Sequence, residues 1–192
     1  MEHKKQYLKI CLLIGLCLMV FSSSAFFVTK IQTDNVISFG NIKVELINHM
    51  IDENGNEIQA NKEEDLLKNK NVSRIIKVKN ICQHPAYIRV KLNMQGSKDS
   101  NIYPASQYVD YKFKDDMWIE KDGWFYYNEI LNAGETSKDL MDGITFDVDR
   151  LTSDYPGSQI TWTVEVQAVQ SENNLDNVLL AKGWPEGCDK KW

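Results

Sequence analysis

Histidines, cysteines and clustered acids are the residues from which a catalytic or metal site would have to be built. The chain carries three histidines and four cysteines. Past residue 25 only His49, His84, Cys82 and Cys188 remain. Cys82-Gln83-His84 brings two metal-capable ligands together, but no third or fourth stands nearby, and zinc sites use three or four protein ligands. There is no His-Glu-x-x-His pair, so the helical zinc-protease arrangement is missing. A polar loop between two strands is the competing reading of Cys82–His84. "DENGNE" (Asp52–Glu57) sets acids around a glycine as calcium loops do. It lacks the alternating oxygen ligands and the distant bidentate Glu, so a tight turn is the simpler reading. Asp147, Asp149 and Asp154 could join a calcium site or stand as solvated acids at strand ends. No Ser/His/Asp or Cys/His arrangement and no Gly-rich phosphate loop is present. The expectation is a protein that is not an enzyme, with no cofactor, calcium being the one ion to weigh.

A second kind of chemistry is stacking. "GWFYYNEIL" (Gly123–Leu131) is dense in rings, and Trp118, Trp124 and Tyr126 are candidates for a surface that binds carbohydrate. The alternative is that every other ring faces a core, since aromatic residues favour strands in any case.

The elements that would hold these groups are strands. Ile42, Val44 and Leu46 alternate with Lys43 and Glu45, and Asn54-Gly55 then signals a hairpin. Ile88, Val90, Leu92 and Met94 alternate with Arg89, Lys91 and Asn93. Val109, Tyr111 and Phe113 follow the same rule, as do Ile144, Phe146 and Val148. Trp118-Ile119 and Trp124–Leu131 flank "EKDG", a second hairpin. Ile160, Trp162, Val164, Val166 and Ala168 make a long strand. Strict alternation means antiparallel strands with one wet face, and eight to ten of these in roughly 150 residues specify an all-β, antiparallel β-sandwich. Helical pattern is confined to Asn61–Lys70 and to Asn173–Trp184, where Gly183 supplies a stop, so a short C-terminal helix or tail is expected. Asp149–Gln159 reads as a loop.

The N-terminus reads as an export signal. Lys4, Lys5 and Lys9 precede the apolar run Ile10–Phe21, and Ser22–Ala25 supplies small residues for cleavage between Ala25 and Phe26. The run is short of the roughly 20 apolar residues of a membrane span. Any membrane contact is therefore expected through the uncleaved signal peptide alone. Cys11 and Cys17 follow large residues, unlike lipid-attachment cysteines. Removing residues 1–25 takes three of 22 basic and one of 27 acidic residues, leaving 19 against 26, a net charge of −7. That surface repels nucleic-acid phosphates, so nucleic acid is excluded as a partner. In an exported protein Cys82 and Cys188 could form one disulfide or remain two thiols.

A signal ending in Ala-Phe is followed by "TDNVISFGNIKVEL" (Thr33–Leu46), then by "GWFYYNEILNAGETSKDLMDGITF" (Gly123–Phe146) and "VEVQAVQSENN" (Val164–Asn174). In that order these stretches resemble the opening, the aromatic strand with its "L-x-x-G-E-T-S" turn, and the last strand and exit of the TasA/camelysin family of exported biofilm matrix proteins. The likeness spans most of residues 20–184. It implies a jelly-roll-like sandwich, secreted by a Gram-positive bacterium after cleavage by an ER-type signal peptidase. It implies assembly with itself, and with sister matrix subunits, into extracellular or cell-surface, pilus-like fibres. In such fibres the N-terminal segment of one subunit completes a sheet of the next; here that segment is Phe26–Phe39. Cys82 and Cys188 depart from the pattern. Some camelysin-like members are described as metalloproteases, and the missing zinc motif argues against that activity here.

Phe26, Phe27, Val28, Ile31, Val36 and Phe39 are thus the candidate polymerisation residues. Burying each large side chain is worth about 1.5–3 kcal/mol. They can pack into their own sandwich or pair with the open edge of a neighbour, and head-to-tail pairing of the second kind makes a filament. The expected organisation is signal peptide 1–25, donor strand 26–39, sandwich 40–170 and C-terminal helix or tail 171–192. The function expected is a fibre or matrix subunit; a monomeric or tip adhesin using Trp118 and Trp124 is the alternative.

Overall fold

A computed structural model describes residues 28–32, 36–39, 42–61, 63–65, 70–114 and 116–185. For 28–32, 36–39 and 63–65 the description concerns backbone pairing. The signal peptide, Phe26, Phe27 and Cys188 lie outside the described residues.

The fold is all-β and sandwich-like. Its strands are β1 (Val28–Gln32), β2 (Val36–Phe39), β3 (Ile42–Ile51), β4 (Glu57–Gln59), β5 (Glu63–Asp65), β6 (Asn71–Ser73) and β7 (Ile75–Asn80). After them come β8 (Ala86–Lys98), β9 (Asn101–Pro104), β10 (Val109–Phe113), β11 (Trp118–Lys121), β12 (Trp124–Tyr127), β13 (Met141–Phe146) and β14 (Gln159–Gln170).

One layer is a seven-stranded sheet in the order β11-β12-β8-β14-β1-β5, with β9 also on β8. Its spine is the β8–β14 pair, in register from Gln159↔Ser97 to Gln170↔Ala86. These are the two longest alternating runs of the sequence, and period-two burial forces their register. The other layer holds β10-β13-β6 and β2-β3-β4, with β7 on β3. Its two sheets are continuous through the backbone: Arg74 N–H donates to Asp142 O at 3.1 Å and Leu140 N–H to Ile76 O at 2.8 Å. Ile88, Val90, Ile160, Trp162 and Val166 of the first layer pack in one core with Val44, Leu46, Ile76, Val78, Ile144 and Phe146 of the second.

A smaller cluster covers the outer face of the first layer. Tyr87, Tyr126 and Val169 are buried there beneath Val178 and Ala181, with Trp124 and Trp184 against them. The expected C-terminal helix is reduced to a single 3-10 turn, Val178–Leu180, whose Asn177 side chain accepts from Leu179 N–H. The rest of this tail is held by its own side chains: Asn174 bonds the backbone of Lys182 twice, at 3.0 Å each.

Three local expectations are corrected. Within Asn61–Lys70, Glu63–Asp65 is not a helical turn but a strand hydrogen-bonded to β1. Asp149–Gln159 is not all loop: helix α1 (Val148–Asp154) begins where Asp147 caps it, accepting from Arg150 N–H at 3.1 Å. The β3–β4 turn is longer than a two-residue hairpin, because Ile51 pairs Glu57. Asp52 Oδ1 accepts from the N–H groups of Asn54 and Asn56, and Gly55 takes φ +83°. The "EKDG" hairpin forms as expected. Lys121 pairs Trp124, and Asp122 and Gly123 have φ of 53° and 74°, as a type I′ turn requires.

Candidate functional site

Among the described residues the strand pairs are antiparallel except at one place. β14 gives one edge to β8 and offers the other, over Ile160–Thr163, to β1 in parallel: Thr29↔Ile160, Lys30↔Thr161, Ile31↔Trp162 and Gln32↔Thr163. β5 closes the far side of β1 in antiparallel register, with Val28↔Asp65, Thr29↔Glu64 and Lys30↔Glu63. The first strand of the described chain therefore lies in a slot with a partner on each edge. The floor beneath the slot is core. Ile160 and Trp162 are buried, and Trp162 neighbours Tyr111, whose hydroxyl pKa is pushed up to about 12 by burial, with Trp162 opposing. Without a strand in the slot, four residues of β14 backbone beside Trp162 would lose a partner, and unpaired edge groups attract new strands.

The expected donor segment divides in two. Val28 and Ile31 belong to β1, in the slot. Val36 and Phe39 instead belong to β2, a hairpin with β3 in the other layer, paired Val36↔Glu45 and Phe39↔Ile42. Only Val28–Gln32 of the described segment has the position of an exchangeable strand. In the single chain it fills its own sheet.

The aromatic candidates do not form an open platform. Trp118 is 8% exposed, and its indole N–H donates to Lys138 O at 3.1 Å. Tyr126 is 7% exposed, and its hydroxyl accepts from Arg89 Nη1 at 2.9 Å. Trp124 is half-buried, and the Arg89 guanidinium lies over it, 4.2 Å from the ring centroid. The same guanidinium sits 4.6 Å from the Trp184 ring. Its Nε and Nη2 donate to Gln167 Oε1 at 2.9 and 2.6 Å. Arg89 is thus held between two indoles and tied in its own plane, which pins the C-terminal tail to the sheet. Sequence reading missed this residue because it occupies a polar slot in the cleanest alternating strand.

The metal-capable groups are dispersed. Asp147 caps α1, Asp149 pairs Lys70 at 2.8 Å, and Asp154 accepts from the Tyr108 hydroxyl at 2.8 Å. Cys82 carries a free, half-buried thiol that accepts from its neighbour His84 N–H at 3.2 Å, while the His84 ring lies 3.4 Å from Glu172. Among the described residues no three His, Cys, Asp or Glu side chains gather to hold a metal. An open groove of about 470 Å³ between Ile51, Val72 and Gly143 is lined, among the described residues, by Lys112, Lys114 and Asp142 and by no histidine or cysteine.

One charged ladder crosses the outer face of the second layer. Glu57 accepts from Lys77 at 2.8 and 3.0 Å and meets His49 at 2.8 Å; Lys77 and Lys114 both reach Asp139. The Lys77 hydrogen bond holds the Glu57 carboxyl below the usual range, against the effect of burial. Burial works against the charge on Lys77, but Glu57 and Asp139 outweigh it and raise its pKa.

Comparison with known proteins finds no matching family model, no similar curated protein and no similar solved structure.

Proposed function

We propose that this chain is a secreted structural subunit of extracellular fibres or a biofilm matrix, joined to its neighbours by exchange of β1. The observation that carries the reading is the β1–β14 pairing. It is parallel in an otherwise antiparallel set of described strands, and it is made by a strand at the end of the chain that signal cleavage would free. β1 and β14 lie at opposite ends of the described sequence, so the backbone pairing in the slot is the same whether the strand comes from its own chain or from another. The stretches that resemble the TasA/camelysin family support the same reading. Strand addition of this kind draws affinity from main-chain hydrogen bonds and specificity from alternate side chains. When each copy gives a strand and receives one, the contact does not close and a filament results.

Deletion of Phe26–Gln32 from the mature chain tests it. The truncated protein is expected to keep a cooperative β fold by circular dichroism and to form no fibres under the electron microscope. Fibres of normal length from the deletion would overturn the proposal.

A further inference from the structure

We infer that β5 is a charge-selective clamp over the exchanged strand, and that the Lys30–Glu63 register pair determines which strand the slot accepts. The inference rests on the exchange proposed above and adds its specificity.

β5 consists of Glu63, Glu64 and Asp65, three acids in succession, and its partner among the described strands is β1. β1 carries one charged residue, Lys30. In the sheet Lys30 stands between Thr161 of β14 and Glu63 of β5. Successive residues of a strand alternate faces, so Lys30, Glu63 and Asp65 belong to one face of the pair, with Asp65 opposite Val28. Directly opposed residues of an antiparallel pair have Cβ atoms about 5 Å apart, and opposite charges there attract while like charges repel. A strand with a base at this register position is favoured, and one with an acid there stands opposite an acidic residue. The acids have a second consequence. β5 is the outer strand of the layer, and a charged edge discourages further strands from adding sideways. Growth is thereby directed through the slot and away from lateral aggregation.

The test uses the mature chain, Phe26–Trp192, as wild type, Lys30→Glu, Glu63→Lys and the double reversal. Two readouts are taken at low salt: hydrogen exchange of the 28–32 amides in dilute single chains, and seeded fibre growth followed by light scattering. Each single reversal is expected to speed amide exchange about three- to tenfold and to slow growth by a similar factor. The double reversal restores both to within about twofold. An equimolar mixture of the two single variants grows faster than either alone. The acid-bearing strand of the Lys30→Glu chain enters the basic slot of the Glu63→Lys chain, and the unaltered strand of the second enters the unaltered slot of the first. About 0.5 M salt flattens the differences. Single variants that exchange and grow like wild type, or a folded double variant that restores neither readout, would overturn the inference. A wild type that forms no fibres would defeat the exchange proposal alone, and amide exchange would still decide the pair.

Discussion

Replacing Arg89 with alanine should loosen the C-terminal tail at a cost that can be worked out from its contacts. Two of its N–H groups converge on Gln167 Oε1, and Gln167 is 1% exposed. Truncation strands that carbonyl in a buried setting, which costs about 2 kcal/mol. Two guanidinium–indole stacks, on Trp124 and Trp184, also vanish. Each is worth about 0.5 kcal/mol in a partly exposed setting. The total is about 3 kcal/mol, or a fall of roughly 10 °C in Tm for a domain of this size. Arg89→Lys should recover only a small part, because an ammonium cannot present the planar fork that meets Gln167 and Tyr126 together.

The assay is thermal and urea unfolding by circular dichroism, with limited proteolysis beyond Gln170 as the local readout. A control separates the stranded carbonyl from the lost stacking. In Arg89→Met/Gln167→Leu the stranded Gln167 carbonyl is gone, while the Tyr126 hydroxyl and Glu165 still lose a donor each, so about 1 kcal/mol should return relative to Arg89→Ala. A loss below about 1 kcal/mol for Arg89→Ala would refute the reasoning. So would a double variant no more stable than Arg89→Ala.

Asn80 is fully buried; its amide donates to His84 O and Leu131 O at 2.8 and 2.9 Å, and its carbonyl accepts from Cys82 N–H at 3.0 Å. Asn80→Ala should cost about 2–4 kcal/mol in urea unfolding, since it takes a partner from His84 O, Cys82 N–H and Leu131 O where the β7–β8 turn meets Leu131, and of these Leu131 O keeps the Ala86 N–H. The Glu57–Lys77 pair should shape the pH dependence of stability. Glu57 has its folded pKa depressed, so its contribution is complete above the unfolded value of 4.5 and is lost as pH falls through the folded one. Lys77 has its folded pKa raised, so its contribution is complete below 10.5 and is lost as pH rises through the folded value. Glu57 is about a third exposed, with side-chain exposure of 35%, and screening keeps the effect below about 1 kcal/mol. Glu57→Gln should therefore flatten the acid limb of the stability curve, and an unchanged limb would count against the pair.

Alternation was enough to locate the spine of the fold. Ile88 to Met94 and Ile160 to Ala168 read as strands because each polar position faces outward, and they pair edge to edge in one sheet. The sequence could not show that Arg89 and Gln167, polar positions of those same strands, are covered a second time by the tail. A polar residue on an outer face looks the same in water as it does under Trp184. Alternation also fails for short strands: three acids in a row read as part of a helical stretch, and among the described residues β5 takes its pairing from β1 beside it. The capped helix α1 was hidden for a related reason. Its seven residues are too few for periodicity to emerge, and an aspartate such as Asp147 reads equally well as a cap or as a calcium ligand. The N-terminal strand itself was legible as an apolar segment, but its direction against β14 was not, since residue pattern carries no information about parallel or antiparallel pairing.

On the proposed reading, the balance between a chain that fills its own slot and one that fills a neighbour's turns on connection length more than on contacts. The same backbone hydrogen bonds form in either case, so they cannot favour one state. Between Gln32 of β1 and Val36 of β2 stand three residues, and the two strands belong to different layers. Four Cα steps reach about 14 Å at most, and packed layers stand about 10 Å apart. A connection with so little slack restricts how β1 can turn back onto its own β14, whereas a strand arriving from another copy carries no such restriction. Short connections between elements favour exchange for this reason. Self-filling keeps the advantage of a high effective concentration, commonly millimolar for short links, so exchange gains ground as subunits accumulate. Closing its own edge while dilute and opening to partners when crowded is the behaviour an exported subunit needs if it is to polymerise outside the cell and stay soluble before that.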